Sequence, residues 1–448
     1  MIMDTPICDF VKKYSQSDPM RLHMPGHKGV DFLGFERLDI TEIDGADSLY
    51  EARGIIRQSE NNAGELFGCP TYYSTEGSSL CIRAMMYLIT LYAKQNGQKP
   101  LIAAARNAHK TFLSAAAMLD FDIMWLYPKN SETYLSCVPD AKELDELLSG
   151  AQQVPTAVYI TSPDYLGNRA DIAAIAEVCR RHGCLLAVDN AHGAYLKFLK
   201  ESAHPIDLGA DICCDSAHKT LPVLTGGAYL HISPSAPEMF KRQAKNALAL
   251  FGSTSPSYLI LQSLDAANKY LTDYAERLQS FLPSVKKLKD NLSAYGYRLF
   301  GNEPLKITVS AKEYGYSGNE LARILSQKDI ICEFSDPDFT VFMLTPENTE
   351  YALQRLQKAL SELPKKSPIH NAPPKINEGE KVLSVREAML SPSETVSVDE
   401  SCGRVLAAAT VGCPPAVPIL VSGERIDSNA IACFKYYGIN SLDVVYNT

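Results

Sequence analysis

Between about residue 60 and residue 231, short apolar runs alternate with helical stretches, and this alternation constrains the fold more than any other feature of the chain. The apolar runs cover residues 101–105, 121–126, 157–161, 184–189, 212–215 and 228–231. Helical segments fall between them, for example over residues 171–182. Strands that alternate with helices read as repeated β-α units, so the pattern predicts an α/β fold with a mostly parallel sheet covered by helices. In such a sheet the carboxyl ends of the strands face the ligand crevice. The residues that end these runs are therefore where chemistry is to be sought.

Downstream, the pattern changes. Residues from about 236 to 292 read as long helices, broken near Phe251–Pro256. Residues 293–363 mix short strands and helices, as a smaller α+β domain would. A proline-marked linker follows, with Pro364, Pro368, Pro373 and Pro374. The tail from about Gly379 carries elements of its own, over residues 384–390 and 427–437. At 448 residues the chain is too long for one ordinary core. The expected organisation is an N-terminal segment with a large domain over residues 1–292, a small α+β domain over 293–366, and a C-terminal α+β domain over 376–448.

Charge and cysteine usage narrow the setting. The net charge of −9 argues against a nucleic-acid or anionic-membrane surface. The twelve cysteines show no CxxC spacing and no paired framework, which reads as a reducing cytoplasm. The start, Met1-Ile2-Met3-Asp4-Thr5, has neither the basic region nor the apolar core of a signal peptide. No run reaches the roughly 20 apolar residues that span a bilayer.

Four motifs carry the chemistry, three of them at the ends of predicted strands. The first is Asp215-Ser216-Ala217-His218-Lys219-Thr220-Leu221-Pro222, followed by Thr225-Gly226-Gly227. A lysine after a strand within an apolar body is costly unless its amine is used. A desolvated lysine can lose its proton near neutral pH and condense with an aldehyde. Ser216 and His218 are then placed to hold the anionic part of an aldehyde cofactor, pyridoxal phosphate. Taken singly, Lys219 reads better as a surface lysine. The second motif ends the run at 184–189 with Asp189-Asn190-Ala191-His192-Gly193. Asp189 could keep a bound pyridine nitrogen protonated, making the ring an electron sink, or could cap the next helix. The third is Ser74-Thr75-Glu76-Gly77-Ser78-Ser79, ahead of an apolar helical stretch over residues 80–93. Glycine and hydroxyls at a helix N-terminus suit a phosphate, and also an ordinary N-cap. The fourth is Arg106-Asn107-Ala108-His109-Lys110-Thr111, whose histidine could lie flat on a ring.

Together these motifs resemble the bacterial ornithine, lysine and arginine decarboxylases, which are fold-type-I pyridoxal phosphate enzymes. Further matches are Leu22-His23-Met24-Pro25-Gly26-His27-Lys28-Gly29, Ala63-Gly64-Glu65-Leu66-Phe67-Gly68 and Gly252-Ser253-Thr254-Ser255-Pro256-Ser257-Tyr258. Another is Pro414-Pro415-Ala416-Val417-Pro418, continuing to Gly423-Glu424-Arg425-Ile426. The resemblance runs nearly end to end and implies the short form, without an N-terminal receiver-like domain. It implies that Lys219 forms the Schiff base, Asp189 pairs with the pyridine nitrogen and His109 stacks on the ring. His192 packs beside the ring. Gly77, Ser78, Ser79, Ser216 and His218 hold the phosphate, and Ser253 serves the partner subunit's phosphate, which implies a homodimer with shared sites. Three positions depart from the family: Glu76 stands where Asn is frequent, Asn190 where Glu is frequent, and Ala416 where the segment has glycine.

The implied reaction is decarboxylation of a basic amino acid, with Lys219 or His218 as candidate proton donor. The distal cation of such a substrate needs buried oxygens. Glu424, Glu76, Asp164 and Asp47 are the candidates, with Glu424 first because prolines order the segment that carries it. No metal is expected. Another fold-type-I enzyme, such as an aminotransferase or aldolase, stays open on these residues alone, as does a retired homologue that acts as a binding subunit.

Overall fold

A computed structural model of the chain describes residues 3–127, 133–375, 377–408 and 415–446. Pro414 of the proline segment and residue 376, the expected start of the C-terminal domain, lie outside the described residues. The strands are β1 (Thr71–Ser74), β2 (Leu101–Ala105), β3 (Asp122–Leu126), β4 (Ala157–Thr161), β5 (Leu185–Asp189), β6 (Ile212–Asp215) and β7 (Ala228–Ile232), followed by β8 (Arg298–Phe300), β9 (Lys306–Ser310), β10 (Phe334–Ser335), β11 (Phe339–Met343), β12 (Ser393–Ser397) and β13 (Ser441–Val445). The helices that bear on the site are α1 (Pro6–Gln16), α2 (Ile55–Phe67), α3 (Gly77–Gln95), α4 (Lys110–Leu119), α5 (Ala141–Gly150), α6 (Ile172–His182), α7 (Ala217–Thr220), α8 (Glu238–Ala249) and α9 (Tyr258–Leu271).

The chain divides into two compact units, each built from two separate stretches. One comprises residues 1–98 and 172–277, the other residues 99–171 and 278–448. In the first unit the strand order is β1-β7-β6-β5. β5 and β6 are parallel, while β7 runs antiparallel to both of its neighbours. Every residue of β1, β6 and β7 is buried, so these strands are covered on both faces. The long apolar α3 lies against β1, β6, β7 and α8, and α9 packs on α1 and α2. Phe67, at the end of α2, packs its ring 4.5 Å from His231 and 5.6 Å from Phe198. Gly68 then stops that helix with φ 72, a left-handed conformation in which glycine carries no Cβ penalty.

In the second unit β4, β2 and β3 are all parallel, in that order. α5 is capped by Asp140, whose side chain accepts from Lys142 N and Glu143 N. A four-stranded antiparallel sheet follows, in the order β10-β11-β9-β8. Then β12 and β13 pair antiparallel, beside a core of Leu406, Ile426, Phe434, Leu442 and Val444. The six strands expected between residues 101 and 231 all form, within a residue of the predicted ends. β1 was not expected.

Candidate active site

The phosphate-type loop is built by two turns that touch. β1 ends at Ser74, whose hydroxyl donates to Gly77 O at 3.0 Å and accepts from Glu76 N at 3.1 Å. Gly77 opens α3 with φ 70, and its N–H donates to Gly226 O at 2.7 Å. The approach is close enough to demand glycine at 226: a Cβ there would stand 2.8 Å from Thr75 O, and φ is 99. The glycine pair after the lysine motif is thus what lets that turn lie against the start of α3. Ser216, after β6, donates its hydroxyl to Ser78 Oγ at 2.8 Å, so hydroxyls from two distant motifs meet in the first turn of α3. Ser79 follows in the same turn. The dipole of α3 favours an anion at this turn. The imidazole of His218 is held by the same turn, with Nδ1 donating to Gly227 O at 2.9 Å.

The parallel register of β5 and β6 sets Asp189 opposite Cys214. Asp189 is 2% exposed and accepts from Ala191 N at 3.1 Å and from the Cys214 thiol at 3.7 Å. Lys219 lies in α7, and its Nζ stands 3.0 Å from Nε2 of His192, which is itself buried. A half-buried amine, an imidazole and a buried carboxylate therefore converge at the ends of two adjacent strands. The first unit thus brings together Lys219, His192, Asp189, Ser78, Ser216 and His218.

Ser253 and Glu76 meet at the surface of this unit. Ser253 N donates to Glu76 Oε1 at 2.6 Å, and Ser253 Oγ accepts from Ser255 N at 3.1 Å. Burial, then the nearby Glu76 charge, pushes the Tyr50 hydroxyl up to about 12. Asp47 is committed to backbone: its carboxylate accepts from the N–H groups of Ser48, Arg53, Gly54, Ile56 and Arg57.

The second unit holds the remaining candidates. His109 caps α4, with Nδ1 accepting from Thr111 N at 3.2 Å. Asp164 is fully buried and accepts from the Ser136 hydroxyl at 2.6 Å, the Asn168 side chain at 2.9 Å and the N–H groups of Leu166 and Asn168. Burial raises its pKa, against those hydrogen bonds. Glu424 pairs with Arg106 at 3.3 Å, both nearly buried, and accepts from Val421 N at 2.8 Å. Arg106 also donates to Pro418 O and Ile419 O and lies 5.3 Å from the Trp125 ring centre. Ala416 takes φ 56, and its carbonyl accepts from Lys110 N at 2.8 Å.

Two features carried no signal in the sequence. Arg106 sits in the His109 motif, but its partner lies more than three hundred positions away. Asp215 was noted only as a strand end, yet it anchors a buried cluster: His204 and His231 each place Nε2 3.1 Å from its Oδ2. These histidines lie in stretches without any motif, and only the sheet brings them to Asp215.

Comparison with known proteins agrees with this arrangement. The family described as "Orn/Lys/Arg decarboxylase, major domain" matches residues 5–300, and "Orn/Lys/Arg decarboxylase, C-terminal domain" matches residues 380–441. The chain is 27% identical to an arginine decarboxylase of Bacillus subtilis, over 96% of its own length and 92% of that protein. It is 27% identical to an arginine decarboxylase of Halalkalibacterium halodurans, over 96% and 93%. Among solved structures, a lysine decarboxylase of Francisella novicida superposes with a TM-score of 0.78 at 17% identity, covering 99% of this chain and 81% of that one. A serine palmitoyltransferase of Sphingomonas wittichii shares the fold more distantly, with a TM-score of 0.57 at 14% identity over 78% and 82%.

Proposed function

The chain belongs to the Orn/Lys/Arg decarboxylase family, and we propose that it removes the α-carboxylate of arginine, lysine or ornithine, yielding CO2 and agmatine, cadaverine or putrescine for polyamine synthesis. It is a pyridoxal phosphate-dependent decarboxylase with the fold-type-I architecture. The residues fit that cofactor. The Ser78–Ser216 hydroxyl pair at the start of α3, the glycine-only contact at Gly226 and the buried Asp189 form a cradle for a phosphate at one end and a pyridine nitrogen at the other.

When bound, the cofactor supplies a protonated ring that withdraws electrons from the substrate's α-carbon. The protein's own groups do the rest. Lys219 offers the amine, and His192, 3.0 Å away, can take up or return its proton. Asp189, buried at the end of β5, would hold a proton on the ring nitrogen. Ser78, Ser79, Ser216, His218 and the N-terminus of α3 would hold the phosphate, and His109 would cover the ring. The single observation that carries the reading is the convergence of Lys219, His192 and Asp189 on adjacent strand ends, inside the segment that the family describes.

Arginine is the first substrate to try, because two relatives that match over 96% of the chain are named arginine decarboxylases. Of the carboxylates proposed to meet the distal cation, Glu76 is the exposed one, while Asp164 and Glu424 already accept several hydrogen bonds. A second copy of the chain is proposed to complete the site through Ser253. The cytoplasm is the proposed setting, supported by the eleven free cysteines among the described residues. No helix among the described residues is long and apolar enough to cross a membrane.

The test is to incubate the cofactor-loaded protein with each of the three amino acids and to measure CO2 and amine by mass. Amine from one or more of them is expected, and its loss in Lys219→Ala. Release of a keto acid with formation of pyridoxamine, or turnover of leucine or glutamate alone, would refute the reading.

A further inference from the structure

β5 and β6 are joined by one rung beyond their ladder. The backbone pairing ends where Asn190 N donates to Cys214 O at 3.0 Å. The Asn190 side chain then continues it, with Nδ2 donating to Asp215 Oδ1 at 2.6 Å. The other Asp215 oxygen accepts from His204 Nε2 and His231 Nε2, each at 3.1 Å. Asp215, Asn190, His204 and His231 are all fully buried. His231 lies on β7, and His204 lies in the loop before β6. One carboxylate therefore ties together β5, β7 and the approach to β6.

The position of this rung matters for the chemistry. Asn190 is the residue after Asp189, and Asp215 is the residue before Ser216, three short of His218 and four short of Lys219. The local packing is cut to fit. A Cβ on Gly193 would stand 2.0 Å from Asn190 Oδ1, so the glycine leaves room for the amide to turn its nitrogen toward Asp215. Burial opposes ionisation of Asp215, but the two imidazoles and their hydrogen bonds outweigh it and hold its pKa below the ordinary carboxylate value. As a charged acceptor it can bind three donors at once, which a neutral amide of the same shape cannot.

We propose that Asp215 is a positioning residue for the decarboxylation. Through Asn190, His204 and His231 its carboxylate fixes the spacing between Asp189 at the end of β5 and Ser216 and Lys219 beyond the end of β6. The proposal rests on the reading of Lys219 and Asp189 as the cofactor site. A small metal ion is the rival occupant of the same donors. A metal-bound imidazole ordinarily passes its second N–H to an acceptor, yet His204 Nδ1 meets no partner among the described residues. The arrangement is that of a hydrogen-bond hub.

Three variants test it: Asp215→Asn, Asn190→Ala, and the reversed pair Asn190→Asp with Asp215→Asn. The readouts are equilibrium binding of pyridoxal phosphate to the apoprotein by absorbance, thermal unfolding of the apoprotein, and separate kcat and KM values. Each single variant should stay folded and bind the cofactor about tenfold or more weakly, with kcat falling more than KM rises. The reversed pair restores a donor and an acceptor across the rung and should recover most of the binding. If Asp215→Asn does not fold, Asn190→Ala decides by the same criterion, since it leaves Asp215 with both imidazoles. Parent-like cofactor binding in the folded single variants would overturn the positioning role. One equivalent of transition metal in the purified parent, absent from Asp215→Asn, would overturn it in favour of a metal site. A parent that takes up no pyridoxal phosphate at all would instead defeat the cofactor-site reading itself.

Discussion

Glu424 and Arg106 illustrate how a residue's chemistry depends on its company. On sequence, Glu424 is an acid in a proline-ordered segment and the first choice for a substrate cation. In the fold it faces a guanidinium in a nearly dry setting, where removing one partner of a pair strands the other. Glu424→Gln should lower unfolding stability by about 3 kcal/mol, read from urea denaturation, because Arg106 stays buried with a weaker acceptor. Trp125, the chain's one tryptophan, lies beside Arg106, so its fluorescence should shift in the folded variant. An unchanged urea midpoint would show that the pair adds nothing. Ala416 is a second case. Its φ of 56 is the conformation that glycine adopts without penalty, which explains why glycine suits this position in the family. Asp189 stood out in the sequence because it closes an apolar run, and Lys219 because it follows one by four positions. His204 and His231 did not, since they reach Asp215 from a loop and from β7, eleven and sixteen positions away.

At the scale of elements, α2 owes its start to a residue that precedes it by eight positions. Asp47 accepts from the N–H groups of Gly54, Ile56 and Arg57, which a helix cannot satisfy by itself. Burial works against its charge, but these backbone donors prevail and keep its pKa below the ordinary value. A carboxyl depressed in the folded state stabilises above its unfolded pKa and loses that contribution as pH falls through the folded one. Asp47→Ala should therefore cost about 1 kcal/mol at pH 7, and the difference from the parent should shrink below about pH 4. Urea midpoints at pH 7, 5 and 3 check this; a gap that persists at pH 3 would rule out the charge as its source. Long-range capping explains why Asp47 looked like a free acid on sequence. The strands from β2 to β7 were legible because each is a largely apolar run of strand length. β1 was not, because Thr71–Ser74 is short and begins and ends in a hydroxyl residue, and only its antiparallel pairing with β7 makes it a strand. At the other end of the unit, Asp265 holds α1 by accepting from Ile7 N and Cys8 N at 2.9 Å, a tie across 257 positions that no local pattern reveals.

For the molecule as a whole, one stretch remains unexplained by a single copy. Met20, Leu22, Phe32 and Leu33 are 75–85% exposed, and Met24, Val30, Phe35 and Leu38 are also exposed. Apolar exposure of this density marks a surface that another molecule covers, and a second copy of the chain is the proposed cover. The parent should sediment as a dimer, and Phe32→Glu with Leu33→Glu should sediment as a monomer and lose activity. Mixing Lys219→Ala with Ser253→Glu should restore about a quarter of the parent activity by random pairing, if sites are shared. A fully active parental monomer would contradict the proposal. The interleaving of the two units has a consequence for synthesis. The first unit begins at the N-terminus but closes only with residue 277, after the chain has detoured through residues 99–171. A ribosome that has made 171 residues has released Gly77, Ser78 and His109, yet neither Asp189 nor Lys219. The early strand β1 must wait for β7, its partner 157 positions later, with its edge unpaired. Nascent chains of this protein therefore carry an open strand edge from the making of β1 to the making of β7, and no cut in the gene divides it into two pieces that each encode a whole unit.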